Sequence, residues 1–192
     1  MPKKNLLILG AGGFGQSIAE VAALSAQWQQ IYFVDDRWPE QKQVGQYSII
    51  SNIQNLSQLQ QENVEAIVAV GNNQIRQKWQ QLLLDLSIPL ATIIHPQAVI
   101  SPSAQIGQGV SIMAGRIIGT NTIIQDGVLL NIGTLLDHDV VIEHFSHLSV
   151  GVNIAGGQRI PSGSFLEVGT RIGHKILITN SFKLRYDLLK TI

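Results

Sequence analysis

Of the five histidines in this 192-residue chain, one stands between two carboxylates, in Asp137-His138-Asp139. Histidine is the side chain whose ordinary pKa lets it take up a proton near neutral pH. A carboxylate beside it can fix its tautomer and hold the ring in place. A base so placed can deprotonate an amine or hydroxyl as it attacks an acyl carbon, a contribution of roughly 10²- to 10⁴-fold. Acyl transfer from a thioester then needs no covalent intermediate. The chain has no cysteine, which removes a thiolate nucleophile, thiolate zinc ligands and disulfides together. The plainer reading of Asp137-His138-Asp139 is a solvated corner with three polar residues.

What must position this histidine is a repeat. An aliphatic residue recurs at every sixth position: Ile94, Ile100, Ile106, Ile112, Ile118, Ile124, Leu130, Leu136, Ile142, Leu148, Ile154, Ile160, Leu166, Ile172 and Ile178. Two residues before each stands a mostly small or β-branched side chain, and three residues after it commonly a glycine. A period of six fits neither a helix nor strands joined by hairpins, but it does fit a short strand plus a corner. Strands of a β-sandwich are spaced irregularly and carry turn clusters, so that alternative is set aside. The pattern resembles the hexapeptide-repeat proteins, in which three sides close a triangular coil of about 18 residues. That resemblance, and not the period, implies a left-handed β-helix, since crossovers between parallel strands are normally right-handed.

The first half reads differently. Residues 5–10 form an apolar strand running into Gly10-Ala11-Gly12-Gly13-Phe14-Gly15, and Gln16 to Ala26 continue as a helix. This strand, glycine turn and helix order is what a phosphate-cradling loop requires. A second strand, Ile31 to Val34, ends in Asp35-Asp36-Arg37, near where an acidic residue meets a ribose. A third, Ala66 to Val70, leads to Gly71-Asn72-Asn73 and a helix through Arg76 and Trp79 to Leu86. Only about one mononucleotide half fits before Ile94, so a nucleotide-sugar diphosphate suits the loop better than a dinucleotide. A glycine turn that merely lets the helix pack closely is the other reading.

Composition narrows the partners. Lysine plus arginine equals aspartate plus glutamate at 13 each, with no basic run beyond Lys3-Lys4, so no nucleic acid or anionic lipid is expected. Charged residues make up 14 % against 45 % apolar, which points to surface covered in an oligomer. No stretch reaches the roughly 20 apolar residues of a membrane span, and the amino terminus lacks a signal sequence, so a cytoplasmic protein is expected.

A glycine-rich α/β domain followed by uninterrupted hexads resembles the sugar O- and N-acyltransferases that include bacillosamine-pathway and perosamine N-acetyltransferases and sialic acid O-acetyltransferases. The markers are Gly10-Ala11-Gly12-Gly13 with Gly15, Val34-Asp35-Asp36, Gly71-Asn72-Asn73 with Arg76, His95-Pro96 with Ala98, and Asn131 to Gly157 with His138-Asp139 and His147. The resemblance covers nearly the whole chain. It implies a Rossmann-like nucleotide-sugar domain over 1–90, a left-handed β-helix acyltransferase domain over 91–180 and a tail over 181–192. It further implies acetyl-CoA as acyl donor, no metal, a nucleotide sugar as acceptor and a homotrimer. His138 is expected to act as general base with Asp139 polarising it. His147, Gly156, Gly157 and His174 are expected around the coenzyme, the two glycines through backbone N–H groups that stabilise an oxyanion. Gly10, Gly12, Gly13, Phe14, Gly15, Asp35, Asp36, Arg37 and Asn72 are expected around the nucleotide sugar. Two departures stand out: the family usually has histidine at the position of Phe14, and residues 179–192 lack its Gly-x-Pro-Ala ending.

The remaining histidines have plainer readings. His95, before Pro96, reads as structural, and His144, at the hexad offset of His138, as exposed. His138 and His147 lie nine residues apart, half of a coil of about 18, so they are expected to converge across a subunit boundary. A γ-type carbonic anhydrase shares the coil but needs two histidines five residues apart, whereas the spacings here are six and three. An O-acetyltransferase acting on sialic acid or another sugar hydroxyl is the nearest alternative. A non-catalytic trimeric nucleotide-sugar-binding module is the alternative of another class.

Overall fold

The computed structural model describes residues 3–59 and 63–174. The hexad residue Ile178 and the tail 181–192 lie outside them. The chain divides into two compact units, Met1–Pro96 and Gln97–Ile192.

The first unit is built on β1 (Asn5–Leu9), whose Leu6, Leu7, Ile8 and Leu9 are all buried, as a central parallel strand requires. β2 (Ile31–Val34) pairs with it in parallel, Leu6 opposite Ile31. On its other side lies β5 (Val64–Val68), also parallel, with Leu9 opposite Val68. β3 (Gln43–Val44) and β4 (Tyr47–Ser51) form an antiparallel hairpin, and β4 joins β2. The sheet order is β3-β4-β2-β1-β5.

Helix α1 (Gly13–Ser25) ends at Ala26, whose left-handed φ of 51° stops it. Its buried face is Gly15, Ile18, Ala19, Val21 and Ala22. Helix α2 (Asn73–Asp85) buries Arg76, Gln80 and Leu83, the i, i+4, i+7 stripe of one helical face. Arg76 is tied down by the Val70 carbonyl at 3.1 Å and Asn73 Oδ1 at 2.9 Å.

In the second unit every two-residue strand ends on a residue of the six-residue series. Strands eighteen residues apart pair in parallel: Ile117 opposite Leu135, Ile123 opposite Val141, Leu129 opposite His147. Three sheets result. The first face stacks Val99–Ile100, Ile117–Ile118, Leu135–Leu136, Asn153–Ile154 and Arg171–Ile172. A second holds Gln105–Ile106, Ile123–Ile124, Val141–Ile142 and Arg159–Ile160. The third includes Ser111–Ile112, Leu129–Leu130, His147–Leu148 and Phe165–Leu166. The aliphatic series from Ile112 to Ile172 points inward and is buried, each such side chain contributing about 1.5–3 kcal/mol through burial.

The position three residues beyond each aliphatic is the corner, and from Gly109 to Gly169 all of these residues have positive φ. Glycine fills most of them, but Asn121, Asp139 and Phe145 occupy three, with φ of 58°, 56° and 56°. The other inward row, two residues before each aliphatic, holds Val110, Thr122, Val128, Thr134, Val140, Ser146 and Val152. Arg116 breaks that row. It is 0 % exposed, and none of its three guanidinium nitrogens has a hydrogen-bond partner among the described residues. Burial pushes its pKa down to about 9.

Candidate active site

His138 sits on the corner that joins Leu135–Leu136 of the first face to Val141–Ile142 of the second. Neighbouring coils clamp its backbone. Asp139 N–H donates to the Thr120 carbonyl at 2.8 Å, and Gly157 N–H donates to the His138 carbonyl at 2.9 Å. Asp139 takes the corner position itself, with φ of 56°, a conformation that aspartate tolerates better than most residues. Its carboxylate is thereby aimed along the corner at its neighbour.

Nδ1 of His138 lies 2.8 Å from Asp139 Oδ2. Asp137 Oδ1 accepts the backbone N–H of His138 at 2.8 Å, and its Oδ2 stands 3.9 Å from Nε2. The hydrogen bond to Asp139, then the charge of Asp137, raise the imidazole pKa above its ordinary value. The same hydrogen bond, followed by one from Asn121, lowers that of Asp139. With Nδ1–H engaged by the carboxylate, Nε2 carries the lone pair. The ring is half-exposed and stacked toward Gly156 of the next coil.

Gly156 and Gly157 differ in what they offer. The N–H of Gly157 is already donated to the His138 carbonyl, while that of Gly156 has no acceptor among the described residues. A groove of about 600 Å³ runs outside the first face and reaches this corner, lined by Ile117, Leu135, Asp137, Asn153, Ala155 and Arg171 among others. His147 lies elsewhere, on the third face, opposite the His138 corner. It is buried and meets Phe165 edge-on with ring centroids 4.8 Å apart. His174 is exposed at the end of the described coil, His144 is exposed with Nδ1 3.8 Å from Asp126, and His95 is half-buried.

In the first unit the glycine loop follows β1, the strand from which the sheet grows in both directions. Ligands of open α/β sheets bind at such a switch point. Gly10 has φ of 105°, and a β-carbon on Gly15 would run into the Gly10 carbonyl oxygen, so the turn into α1 is closed tightly. Gly12, the N-cap of α1, and Gly13 face open space, and Phe14 is half-buried in the first turn. Asp35 holds the loop by accepting Ala11 N–H at 2.7 Å, and it receives Arg37 Nε at 2.7 Å and Nη2 at 3.1 Å. Burial raises the Asp35 pKa, but Arg37 and the Ala11 N–H outweigh it and hold the carboxyl below its ordinary value. Asp36 accepts Ile53 N–H at 3.1 Å, and Asn72 caps α2 by accepting Ile75 N–H at 3.0 Å.

Asn121 escaped the reading of the sequence. Its signal is positional: it stands eighteen residues before Asp139, at one of the coil's corner positions, most of which are glycine. Among the described residues no group of three or more acidic or histidine side chains is arranged to hold a metal ion, and no helix is long and apolar enough to cross a membrane.

Residues 5–83 match the PglD N-terminal domain family. The acetyltransferase domain of PglB from Neisseria gonorrhoeae FA1090, solved in complex with acetyl coenzyme A, is 35 % identical, over 88 % of this chain and 85 % of that one, with a TM-score of 0.77. A mutant GDP-perosamine N-acetyl transferase from Caulobacter crescentus, in complex with CoA and GDP-perosamine, shares the fold at 22 % identity, over 88 % of this chain and 90 % of that one, with a TM-score of 0.72. WeeI from Acinetobacter baumannii AYE does so at 16 % identity, over 88 % and 93 %, with a TM-score of 0.63. No curated protein sequence matches. The shared architecture is a Rossmann-like domain followed by a left-handed parallel β-helix.

Proposed function

Because the chain belongs to the hexapeptide-repeat sugar acyltransferases, we propose that it transfers an acetyl group from acetyl-coenzyme A to the amino group of a nucleotide-linked sugar, with His138 as general base. The observation that carries this reading is the imidazole itself. Nδ1 is held 2.8 Å from Asp139, and Nε2 stands in a half-exposed corner at the end of a groove.

The acceptor nitrogen attacks the thioester carbonyl carbon and gives its proton to Nε2 of His138. Negative charge gathers on the carbonyl oxygen, where the N–H of Gly156, which has no acceptor among the described residues, is assigned as donor. The intermediate collapses as the carbon–sulfur bond breaks, and the proton held on Nε2 passes to the leaving thiolate. His138 returns to its starting state, and no covalent enzyme intermediate is needed. Asp139 keeps Nδ1 protonated throughout, so that the lone pair stays on the nitrogen facing the acceptor.

The first unit is assigned the nucleotide sugar, at the loop Gly10 to Gly15 with Asp35, Asp36, Arg37 and Asn72, and the coil the coenzyme, with His174, Gly156 and Gly157 at the His138 corner and His147 brought to it from a neighbouring copy. The working assembly is a homotrimer. Its support is two exposed apolar rows of one residue per coil: Val99, Ile117 and Leu135, and Ile132, Val150 and Val168, all between 39 % and 63 % exposed. The reaction is assigned to the cytoplasm.

The test is coenzyme A release, measured with UDP- and GDP-linked amino sugars and with sialic acid, in the native protein and in His138→Ala. Release with a nucleotide amino sugar, reduced roughly 10²- to 10⁴-fold in the variant, is the expected result. Release with sialic acid alone would make the acceptor a hydroxyl, and an undiminished variant would remove His138 from the chemistry.

A further inference from the structure

We propose that Asn121 is a positioning residue for the His138–Asp139 pair, acting from one coil away through the carboxylate. The inference rests on the reading of His138 as base. Its observation is a vertical row of three residues at one corner, Ser103, Asn121 and Asp139, each eighteen positions from the next and each hydrogen-bonded to its neighbour. Asn121 Nδ2 donates to Asp139 Oδ1 at 3.2 Å, and Asn121 N–H donates to Ser103 Oγ at 2.9 Å.

The division of labour on the carboxylate carries the argument. Asp139 has two oxygens: Oδ2 meets His138 Nδ1 at 2.8 Å, and Oδ1 meets Asn121. A carboxylate held at one oxygen alone can swing about its terminal torsion, a broad and soft rotation. Held at both oxygens, it keeps one plane, and that plane sets where the imidazole ring lies. Asn121 and Asp139 both have positive φ, 58° and 56°, so their α-carbons are fixed by coil geometry and the side chains face each other with little further ordering. A carboxamide suits this position because its NH2 donates without bringing a charge. An aspartate there would set two anions side by side. The same contact helps to hold Asp139 ionised, which keeps the proton on Nδ1 of His138. The charged groups facing the ring are Asp139, from its own corner, and Asp137, 3.9 Å from Nε2; Gly156 of the next coil brings none.

The decisive variant is Asn121→Gly in the full chain, because glycine occupies most corner positions of the coil as a whole, Gly157 on this same corner among them, and accepts the positive φ. The fold is therefore kept while the carboxamide is lost. The expected result has three parts: an unchanged melting temperature, kcat reduced roughly 2- to 10-fold with KM for acetyl-coenzyme A unaltered, the worth of one net hydrogen bond, and the acidic limb of the kcat/KM profile moved to lower pH. The titration of the His138 ring, followed by NMR without substrate, should move to lower pH in the same variant. A variant with the native pH profile and the native His138 titration overturns the inference. Because that titration is read without turnover, this failure is distinct from failure of the base assignment, which an active His138→Ala would reveal.

Discussion

A β-carbon placed on Gly156 would stand 2.6 Å from Nε2 of His138, one turn of the coil before it. The ring therefore lies where the next coil has no side chain at all, and the glycine sets the height of the imidazole above the corner. Gly156→Ala should leave the melting temperature nearly unchanged, since the methyl meets only a half-exposed ring that can rotate away. Turnover should fall about 10²-fold, the cost of a displacement near 1 Å. Coenzyme A release and calorimetry on one preparation check the pair of expectations.

The acidic limb of activity should report His138. Its pKa is raised first by the hydrogen bond to Asp139 and then by the charge of Asp137, so kcat/KM should rise with pH through a value above that of free histidine. Asp139→Asn and Asp137→Asn should each move that limb to lower pH. Only Asp139→Asn should also depress kcat on the plateau, because it alone loses the Nδ1 partner. That loss should be smaller than the roughly 10⁴-fold that follows replacement of a buried triad aspartate, since this corner is solvated. An upward shift in either variant would contradict the electrostatic reading.

Arg116 should destabilise the coil it is buried in. Arg116→Val restores the β-branched type that Val110, Val128 and Val152 bring to the inward row, and should raise stability by about 1–4 kcal/mol. The sign of its pH dependence follows from the folded pKa of about 9, well below the ordinary arginine value that the unfolded chain keeps. Between those values the unfolded chain holds a proton that the folded one lacks, so the native protein gains stability as pH rises. The gap between variant and native protein should narrow above pH 9, as denaturant unfolding at pH 8 and pH 10 would measure.

Asp35 should matter to the glycine loop first. Asp35→Ala releases Ala11 N–H and Arg37 and should cost about 1–3 kcal/mol at neutral pH. Because the folded carboxyl titrates below its ordinary value, that contribution is present above the unfolded pKa and is lost as pH falls through the folded one. Melting curves of the two proteins should converge in acid. Binding of a nucleotide amino sugar, measured by calorimetry, should weaken in parallel at neutral pH.

Assembly can be separated from folding. Val150 and Val168 are 41 % and 57 % exposed, so Val150→Lys with Val168→Lys disturbs no core. Sedimentation should show the native chain as a trimer and the double variant as a monomer with little turnover. A monomer of full activity would end the idea that His138 and His147 serve one site from two subunits.

The coil was legible because its signal is one-dimensional: Ile112 through Ile172 repeat without a slip, and each is buried in the structure. The exceptions to the pattern were not. Nothing in the spacing told that Arg116 would point inward, or that Asn121, Asp139 and Phe145 would take the backbone shape glycine takes elsewhere. Such features depend on what stands one coil away, a neighbour that local patterns do not contain. The strands and helices of the first unit appeared at nearly their observed places, but the hairpin of β3 and β4 was missed: two-residue β3 is too short to show a period, and the turn at Gly45 is its only mark. Asp35 was expected near a ribose. In the structure both its oxygens are engaged by Ala11 and Arg37, a contact that the sequence distance of 24 residues between Ala11 and Asp35 could not reveal.

The pairing of each residue with its counterpart eighteen positions on makes length a quantised property of the second unit. Deleting one residue between Ile142 and His147 would turn every later side chain inside out, sending the aliphatics to water. Excising eighteen consecutive residues, one full circuit, from within the coil would instead return every later side chain to the face it held before. Shortening by whole circuits is thus the one kind of truncation this architecture can absorb.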